Sequence, residues 1–280
     1  MPVTVRPAPW CRREARPRRP VGIRLGFVAS RRRPHQAGLS AGPLFLPADV
    51  LLCILSTSQP NYGGTATMNL FRLDASIRTE GSVSRALADT AEQTWLTEHP
   101  GGVVTRRDLG FHPLPGDAWT ALAHEVVNPA APAPAEAHEL LDRLGAELLA
   151  ADAFLFAVPM YNWNVPEQVK TWIDLILKHD QVGIHGDQPL KGKPALLTLS
   201  RGGGYGPGTP KEGWDHATPY LRTILADVLG LDLQIAEAEL THAFWNPEMA
   251  HLRELAEESM KTGYEQAAEH GLRIAKLSGV

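Results

Sequence analysis

The sequence predicts a doubly wound α/β fold, built on a five-stranded parallel sheet in strand order 2-1-3-4-5 and confined to residues 68–280. Three observations predict it. After Met68, short apolar runs alternate with amphipathic stretches about five times, the pattern of a sheet covered on both faces. The runs Ala153–Val158 and Ala195–Leu199 are continuously apolar, as strands buried on both faces are. The helical stripes that follow these two runs each carry a proline at their start, Pro166 and Pro219, where a missing N–H costs nothing.

The elements follow in order. Leu70–Leu73 reads as the first strand, although Arg72 is an awkward residue for a central one. Ser84–Thr97 reads as a helix with Leu87, Ala91 and Trp95 on one face. Val103–Leu109 is more polar and suits a sheet edge. Glu136–Ala150 places Leu140, Leu141, Leu144 and Leu148 at helical spacing, and Ala153–Val158 is the third strand. From Pro166, the residues Val169, Trp172, Ile173, Ile176 and Leu177 form the clearest helical stripe in the chain. Ala195–Leu199 is the fourth strand. Pro219 opens a helix with Leu221, Ile224, Leu225, Val228 and Leu229 on its apolar face. Leu233–Ala238 is the last strand, and Met249–Leu277 closes the chain as one long or broken helix. In such sheets ligands bind beyond the carboxyl ends of the strands, near the point where strand order reverses. The loops after strands one, three and four are therefore the ones expected to carry function.

Residues 1–67 are of another kind. They hold ten arginines, no lysine and two acids, Glu14 and Asp49, a balance of +8. The whole chain has 27 basic and 31 acidic residues, so 17 and 29 fall in 68–280, which carries −12. An acidic body offers no general attraction to nucleic acid or to an anionic membrane. The basic segment has three readings: a targeting sequence, a disordered arm for an acidic partner, or residues upstream of a true start at Met68. Met68 stands immediately before the first strand, which favours the last. No run is long and apolar enough to cross a bilayer. Both cysteines, Cys11 and Cys53, lie in the basic segment. The body depends on neither disulfides nor thiol chemistry, which fits a cytoplasmic protein.

The first loop, Ser76–Ser84, is serine-rich and enters a helix, where hydroxyls and free N–H groups can cradle a phosphate or simply cap the helix. It has no Gly-Lys-Ser/Thr element and no G-x-G-x-x-G, which weighs against a nucleoside triphosphate or a tightly held dinucleotide. The second loop, Pro159–Pro166, offers two aromatic rings, two amides and a thioether to a flat heteroaromatic ligand, or only covers core. The third, Ser200–Gly208, is glycine-rich; it lets backbone approach a ligand closely or serves as a flexible linker. The eleven histidines form no His-Glu-x-x-His motif, so a metal site has no support. No Gly-x-Ser-x-Gly elbow is present either. His185, His216 and His242 fall near the expected site by loop position.

Together these loops resemble those of the FMN-dependent NADH-azoreductases and quinone reductases of the flavodoxin-like superfamily. Pro159-Met160-Tyr161-Asn162-Trp163 is similar to that family's P-M-Y-N-F, with Trp for Phe. Ser200-Arg201-Gly202-Gly203 is similar to its S-R-G-G, and Thr218-Pro219-Tyr220-Leu221 to its T-P-Y-L. Ser76, Ser82 and Ser84 match the serines of its phosphate loop, with Val83 where Gln is usual. The resemblance runs from about Met68 to the last helix and leaves out the basic segment. It implies FMN, with Ser76, Ser82, Val83 and Ser84 around the phosphate. Met160, Tyr161, Asn162, Trp163, Ser200, Arg201, Gly202 and Gly203 would lie along the isoalloxazine. It further implies a homodimer with sites at the subunit interface and ping-pong transfer from NADH or NADPH to a quinone or azo acceptor. No side-chain acid or base is expected to be indispensable, because a flavin carries the hydride chemistry itself. The alternatives are a flavin reductase that releases reduced FMN and an electron carrier with no substrate site. Gln181–His185 is shorter than its family counterpart and lacks the aromatic residue often found there.

Overall fold

A computed structural model describes residues 67–278. The expectations for the basic segment and its two cysteines fall outside these residues. Five strands, β1 Asn69–Asp74, β2 Val103–Asp108, β3 Ala153–Pro159, β4 Pro194–Ser200 and β5 Asp232–Ala238, form one sheet. All pairings are parallel, and the order is β2-β1-β3-β4-β5, as the sequence predicts. The chain steps outward from β1 to β2 and then crosses back to β3, so the order reverses between β1 and β3.

Side-chain alternation sorts the strands between two cores. In β3, Phe154, Phe156 and Val158 face one side, and Ala153, Leu155 and Ala157 face the other. The aromatic side packs Phe71, Phe154 and Phe156 against Trp172 of helix α4. Each fully buried side chain of this size stabilises the fold by roughly 1.5–3 kcal/mol. Helices α2 Gly116–Val127, α3 Ala135–Leu149, α4 Glu167–Ile176 and α5 Ala217–Arg222 cover that face. Helices α1 Val83–Glu98 and α6 Arg253–Leu277 cover the other. There the strands present Ala153, Ala157, Ala236 and Ala238 among leucines, and the helices lie close. A Cβ on Gly271 would stand 2.8 Å from the backbone of Ala91, so a side chain at this position would push α6 off α1.

Three local findings go beyond the sequence reading. Helix α2 was not legible, because Trp119, Val126 and Val127 are exposed and only Ala118 and Leu122 are buried. Helix α5 starts at Ala217 and loosens into a π-helical stretch over Thr223–Val228, where Leu229 N–H donates to Ile224 O at 2.9 Å. Arg72 does lie in a central strand, only 2% exposed. Its guanidinium donates to both oxygens of Asp74, at 3.0 and 2.9 Å, and pairs with Asp89 at 2.7 Å and Glu92 at 2.9 Å. Burial disfavours the charge, yet Asp74 and Asp89 raise the guanidinium pKa above its ordinary value.

Candidate functional site

The loop after β1 is fixed from below. Ser76 is 1% exposed, and its Oγ accepts from Arg78 N–H at 3.2 Å. Arg85, in the first turn of α1, donates to the Ser76 carbonyl at 2.7 Å and to both oxygens of Asp108 at 2.7 and 2.8 Å. Asp108 also accepts from the backbone of Gly110 and Phe111. Against the cost of burial, these donors, Arg85 first, hold the Asp108 carboxyl below its usual range. The loop turns at Gly81, whose φ of +63° lies in the left-handed region. Ser82 then leads into α1 with no capping bond from its side chain. The amides of Val83, Ser84 and Arg85, like those of any first helical turn, have no acceptor within the helix. They and the helix dipole make this end of α1 a site for an anion.

The loop after β3 is a two-residue hairpin. Tyr161 and Asn164 exchange backbone hydrogen bonds at 2.9 and 3.0 Å, with Asn162 and Trp163 at φ +47° and +65°. Two consecutive positive values form the tight turn usually given to Asn-Gly, so a tryptophan there is held at a cost in backbone strain. Trp163 is 43% exposed and meets Trp214 edge-on, with ring centroids 5.7 Å apart. The hairpin is tied on both sides. Met160 N–H donates to Ser200 O at 2.9 Å, and the Tyr161 hydroxyl accepts from Ile77 N–H at 3.2 Å.

After β4, Arg201 is 6% exposed and faces three carboxylates: Asp215 at 2.6 Å, Glu237 at 2.7 Å and Glu239 at 3.1 Å. Its Nε pairs with Glu239 by charge, without a well-directed hydrogen bond. Burial opposes the charge, and Glu237, Glu239 and Asp215 outweigh it, so the guanidinium stays ionised. Burial first, then Asp215 and Glu239, raise the pKa of Tyr205 and keep its hydroxyl protonated.

Three cavities run in series across these loops. In the middle is a small cradle of about 100 Å³ between Ser76, Ser82, Val83, Tyr161, Ser200 and Thr241. Met160, Gly202 and His242 form its border with an apolar slot of about 520 Å³, which also takes in Asn162, Trp163, Gly203 and Tyr205. Arg78, Ser82, Val83 and Thr241 form its border with a third cavity of about 590 Å³, between α1 and α6. Ten of the twelve residues named from sequence thus line the cradle or the slot. Ser84 and Arg201 line neither. Ser84 is fully buried beside the sheet, its hydroxyl without a partner and its carbonyl accepting from Thr198 at 2.9 Å. Arg201 is held under the loop by its carboxylates.

The Flavodoxin_2 family, described as a flavodoxin-like fold, matches residues 68–261. The chain belongs to this flavodoxin-like family. A relative from Streptomyces avermitilis, an FMN-dependent NADH:quinone oxidoreductase, is 37% identical over 209 residues, covering 74% of this chain and 96% of its own. A protein of the same description from Kineococcus radiotolerans is 41% identical over 191 residues, covering 66% of this chain and 90% of its own. Among solved structures, an azoreductase from Bacillus anthracis superposes with a TM-score of 0.59 at 22% identity, covering 74% of this chain and all of its own. An FMN-dependent NADH-azoreductase from the same species, in complex with FMN, gives 0.57 at 16% identity, with 75% and 99% covered. At such identities the superpositions speak for the flavodoxin-like fold alone.

Within this flavodoxin-like site a fourth loop takes part, that after β5, from which the sequence offered only His242 by position. Leu240, His242, Met249 and Leu252 close the slot from this side. Of the three histidines singled out by position, His242 alone lines the cavities, while His185 and His216 line none of the three. Burial, then Lys211 and Arg78, push the His242 pKa down. Arg78 is the missed residue that the sequence did offer: a cation within the serine loop, beside the anion site.

Proposed function

We propose that the chain is an FMN-dependent NADH:quinone oxidoreductase that also accepts azo compounds. One observation carries this reading: an anion cradle and an adjoining apolar slot meet at the carboxyl ends of β1, β3 and β4, where the strand order reverses. The donor set fits FMN. First-turn amides of α1, the Ser82 hydroxyl and the Arg78 guanidinium are matched to a phosphate, and the glycine backbone of residues 202–203 to a flat ring. Bound there, FMN supplies a ring that takes a hydride from the nicotinamide and passes two electrons onward.

The remaining work falls to the chain itself. Ser76, Ser82, Val83 and the Ser84 amide would surround the phosphate. Met160, Tyr161, Asn162, Trp163, Ser200, Gly202 and Gly203 would line the ring, with Arg201 holding the last three in place from beneath. Backbone N–H groups left free in these loops would stabilise the charge that builds on the ring's polar edge on reduction. Donor and acceptor share the apolar slot and occupy it in turn, a ping-pong order. The exposed pair Trp163 and Trp214 at its rim is apolar surface of the kind a second subunit covers, which supports a homodimer.

The test is a visible spectrum of FMN-loaded, desalted protein, followed by NADH without oxygen. The expected result is retained stoichiometric flavin that NADH bleaches and a quinone restores. Colourless protein after desalting refutes the reading. Bleaching that strips the flavin from the protein assigns a flavin reductase. Flavin that NADH leaves unbleached assigns an electron carrier.

A further inference from the structure

The glycine loop continues past Gly203, and its second half is a chain of hydrogen-bonded turns rather than a slack linker. Thr209 donates to Gly206 O from its N–H at 3.2 Å and from its hydroxyl at 2.7 Å. Glu212 N–H donates to Thr209 O and Trp214 N–H to Lys211 O, both at 3.1 Å. Gly208 N–H donates to the Glu212 carboxylate at 2.8 Å. These turns bring Thr209, Pro210 and Lys211 to the wall of the slot. There the Lys211 ammonium stands 5.9 Å from the centre of the Tyr205 ring. Its charge also reaches His242, whose pKa it lowers after burial has done so.

Besides Tyr205, the ionisable side chains of the slot are Lys211, Glu239 and His242. Glu239 is committed, since Arg201 pairs with it at 3.1 Å and Tyr205 N–H donates to it at 3.2 Å. His242 titrates below its ordinary value and is neutral in ordinary buffer. Lys211 has no carboxylate partner among the described residues, so its charge in the slot is uncompensated. In a body that is acidic overall, this cation is no part of a general basic surface. Beside it the Tyr205 hydroxyl stays protonated and able to donate. Met249, Leu252 and Leu255 supply apolar wall. An ammonium and a phenolic donor in an apolar slot match an arene that carries an acid group.

We infer that Lys211, together with Tyr205, selects acceptors whose quinone or azo-linked ring bears a carboxylate or sulfonate. That selection presupposes the function proposed above and names its acceptor class. The ring packs on the apolar wall while the acid group takes the ammonium and the hydroxyl. A neutral acceptor gains the packing alone. The pyrophosphate of NADH is a second anion that could use the same ammonium, and kinetics tell the two apart.

The test titrates 2-naphthoate and its neutral counterpart of like shape, 2-naphthamide, calorimetrically into the FMN-loaded protein. Reduced flavin is absent, so binding is read without turnover. A charge-assisted hydrogen bond in a partly open slot sets the scale at about tenfold. The expected result is naphthoate bound about tenfold more tightly than naphthamide. Lys211→Met erases that preference, Lys211→Arg keeps most of it, and Tyr205→Phe reduces it by a smaller factor. In turnover, the ratio of kcat/KM for a naphthoquinone sulfonate to that for the unsubstituted naphthoquinone falls about tenfold in Lys211→Met. Intrinsic reactivity cancels, because the same two acceptors are compared in both proteins. Naphthoate bound no more tightly than naphthamide, or a preference that survives Lys211→Met, overturns the assignment. A raised KM for NADH with the acceptor ratio preserved also overturns it and gives the ammonium to the pyrophosphate. Should the protein hold no flavin, the proposed function fails. The naphthoate titration on flavin-free protein then still decides whether Lys211 makes the slot selective for anionic arenes.

Discussion

Arg85 is where the fold meets the anion cradle, and replacing it with methionine tests that link. The substitution removes two hydrogen bonds to Asp108 and one to the Ser76 carbonyl, while Asp108 keeps the backbone donors of Gly110 and Phe111. Hydrogen bonds to charged groups contribute roughly 1.5–3 kcal/mol each. Both side chains keep some exposure, 16% for Arg85 and 25% for Asp108, which lowers the sum. A loss of about 3 kcal/mol results, or roughly 6–12 °C in melting temperature for a domain of this size. The Ser76 carbonyl then has no donor, and the loop is ordered for only part of the time. If the ordered fraction falls to about a tenth, the apparent FMN dissociation constant rises about tenfold. Arg85→Lys does not rescue it, since an ammonium on a flexible stem cannot bridge Asp108 and Ser76 in one plane. The assay is quenching of FMN fluorescence on titration with apoprotein, alongside calorimetric melting. A lowered melting temperature with an unchanged dissociation constant would refute the reasoning, and Arg85 would then only join α1 to β2.

Four further outcomes are expected. Arg72→Met leaves the buried Asp74 carboxylate with only Arg85, at 3.7 Å, and costs about 3–5 kcal/mol by denaturant titration, whereas pairing it with Asp74→Leu recovers most of the loss. Trp163→Phe shifts the ratio of quinone to azo-dye activity by up to about tenfold without moving the melting temperature, because the ring is 43% exposed; a preserved ratio with a lower melting temperature would show it to be packing. His242 has a folded pKa below its unfolded value of 6.5, so its stability contribution is complete above that pH and lost as pH falls below it. His242→Gln should flatten the apoprotein's melting profile in that window, and FMN, by placing an anion beside the ring, should flatten the wild-type profile too. A chain that starts at Met68 is expected to fold and retain FMN, and loss of soluble protein on truncation would show that the basic segment matters.

What could be read in advance divides along physical lines. Strands β3 and β4 and helix α4 were legible because they are buried on both faces or carry a full apolar stripe, so period and composition agree. Helix α2 was not, because its three largest exposed apolar residues, Trp119, Val126 and Val127, point to solvent and blur the period. The serine loop and the glycines of residues 202–203 stood out by residue type alone; at Gly202 a Cβ would run into the His242 ring. The loop after β5 carries no such constraint: it contributes Leu240, His242 and Met249 to the slot through a tertiary path that no local pattern encodes. Arg72 looked wrong for a central strand because its partners, Asp89 and Glu92, come from another element. Arg201 was assigned to the ligand for the converse reason, since the motif that names it does not reveal three carboxylates behind it.

Those two arginines and Arg85 share a logic. Residues 68–280 contain no cysteine, and no covalent bridge holds the ligand loops to the sheet. Buried guanidiniums do so in its place. Arg72 ties β1 to α1, Arg85 ties the serine loop to the end of β2, and Arg201 ties the glycine loop to β5 and to Asp215 just before α5. Each sits within or directly below the carboxyl end of the sheet, where the loops leave it. A planar, always charged fork fixes direction as well as distance, which a hydrophobic contact does not. A buried ion pair adds little net stability, because desolvation consumes most of the attraction. What it does add is a penalty against any other arrangement of the loop, which would leave charges buried and unpaired. The site is thereby held in shape before its ligand arrives, and the glycine backbone can stay bare without going slack.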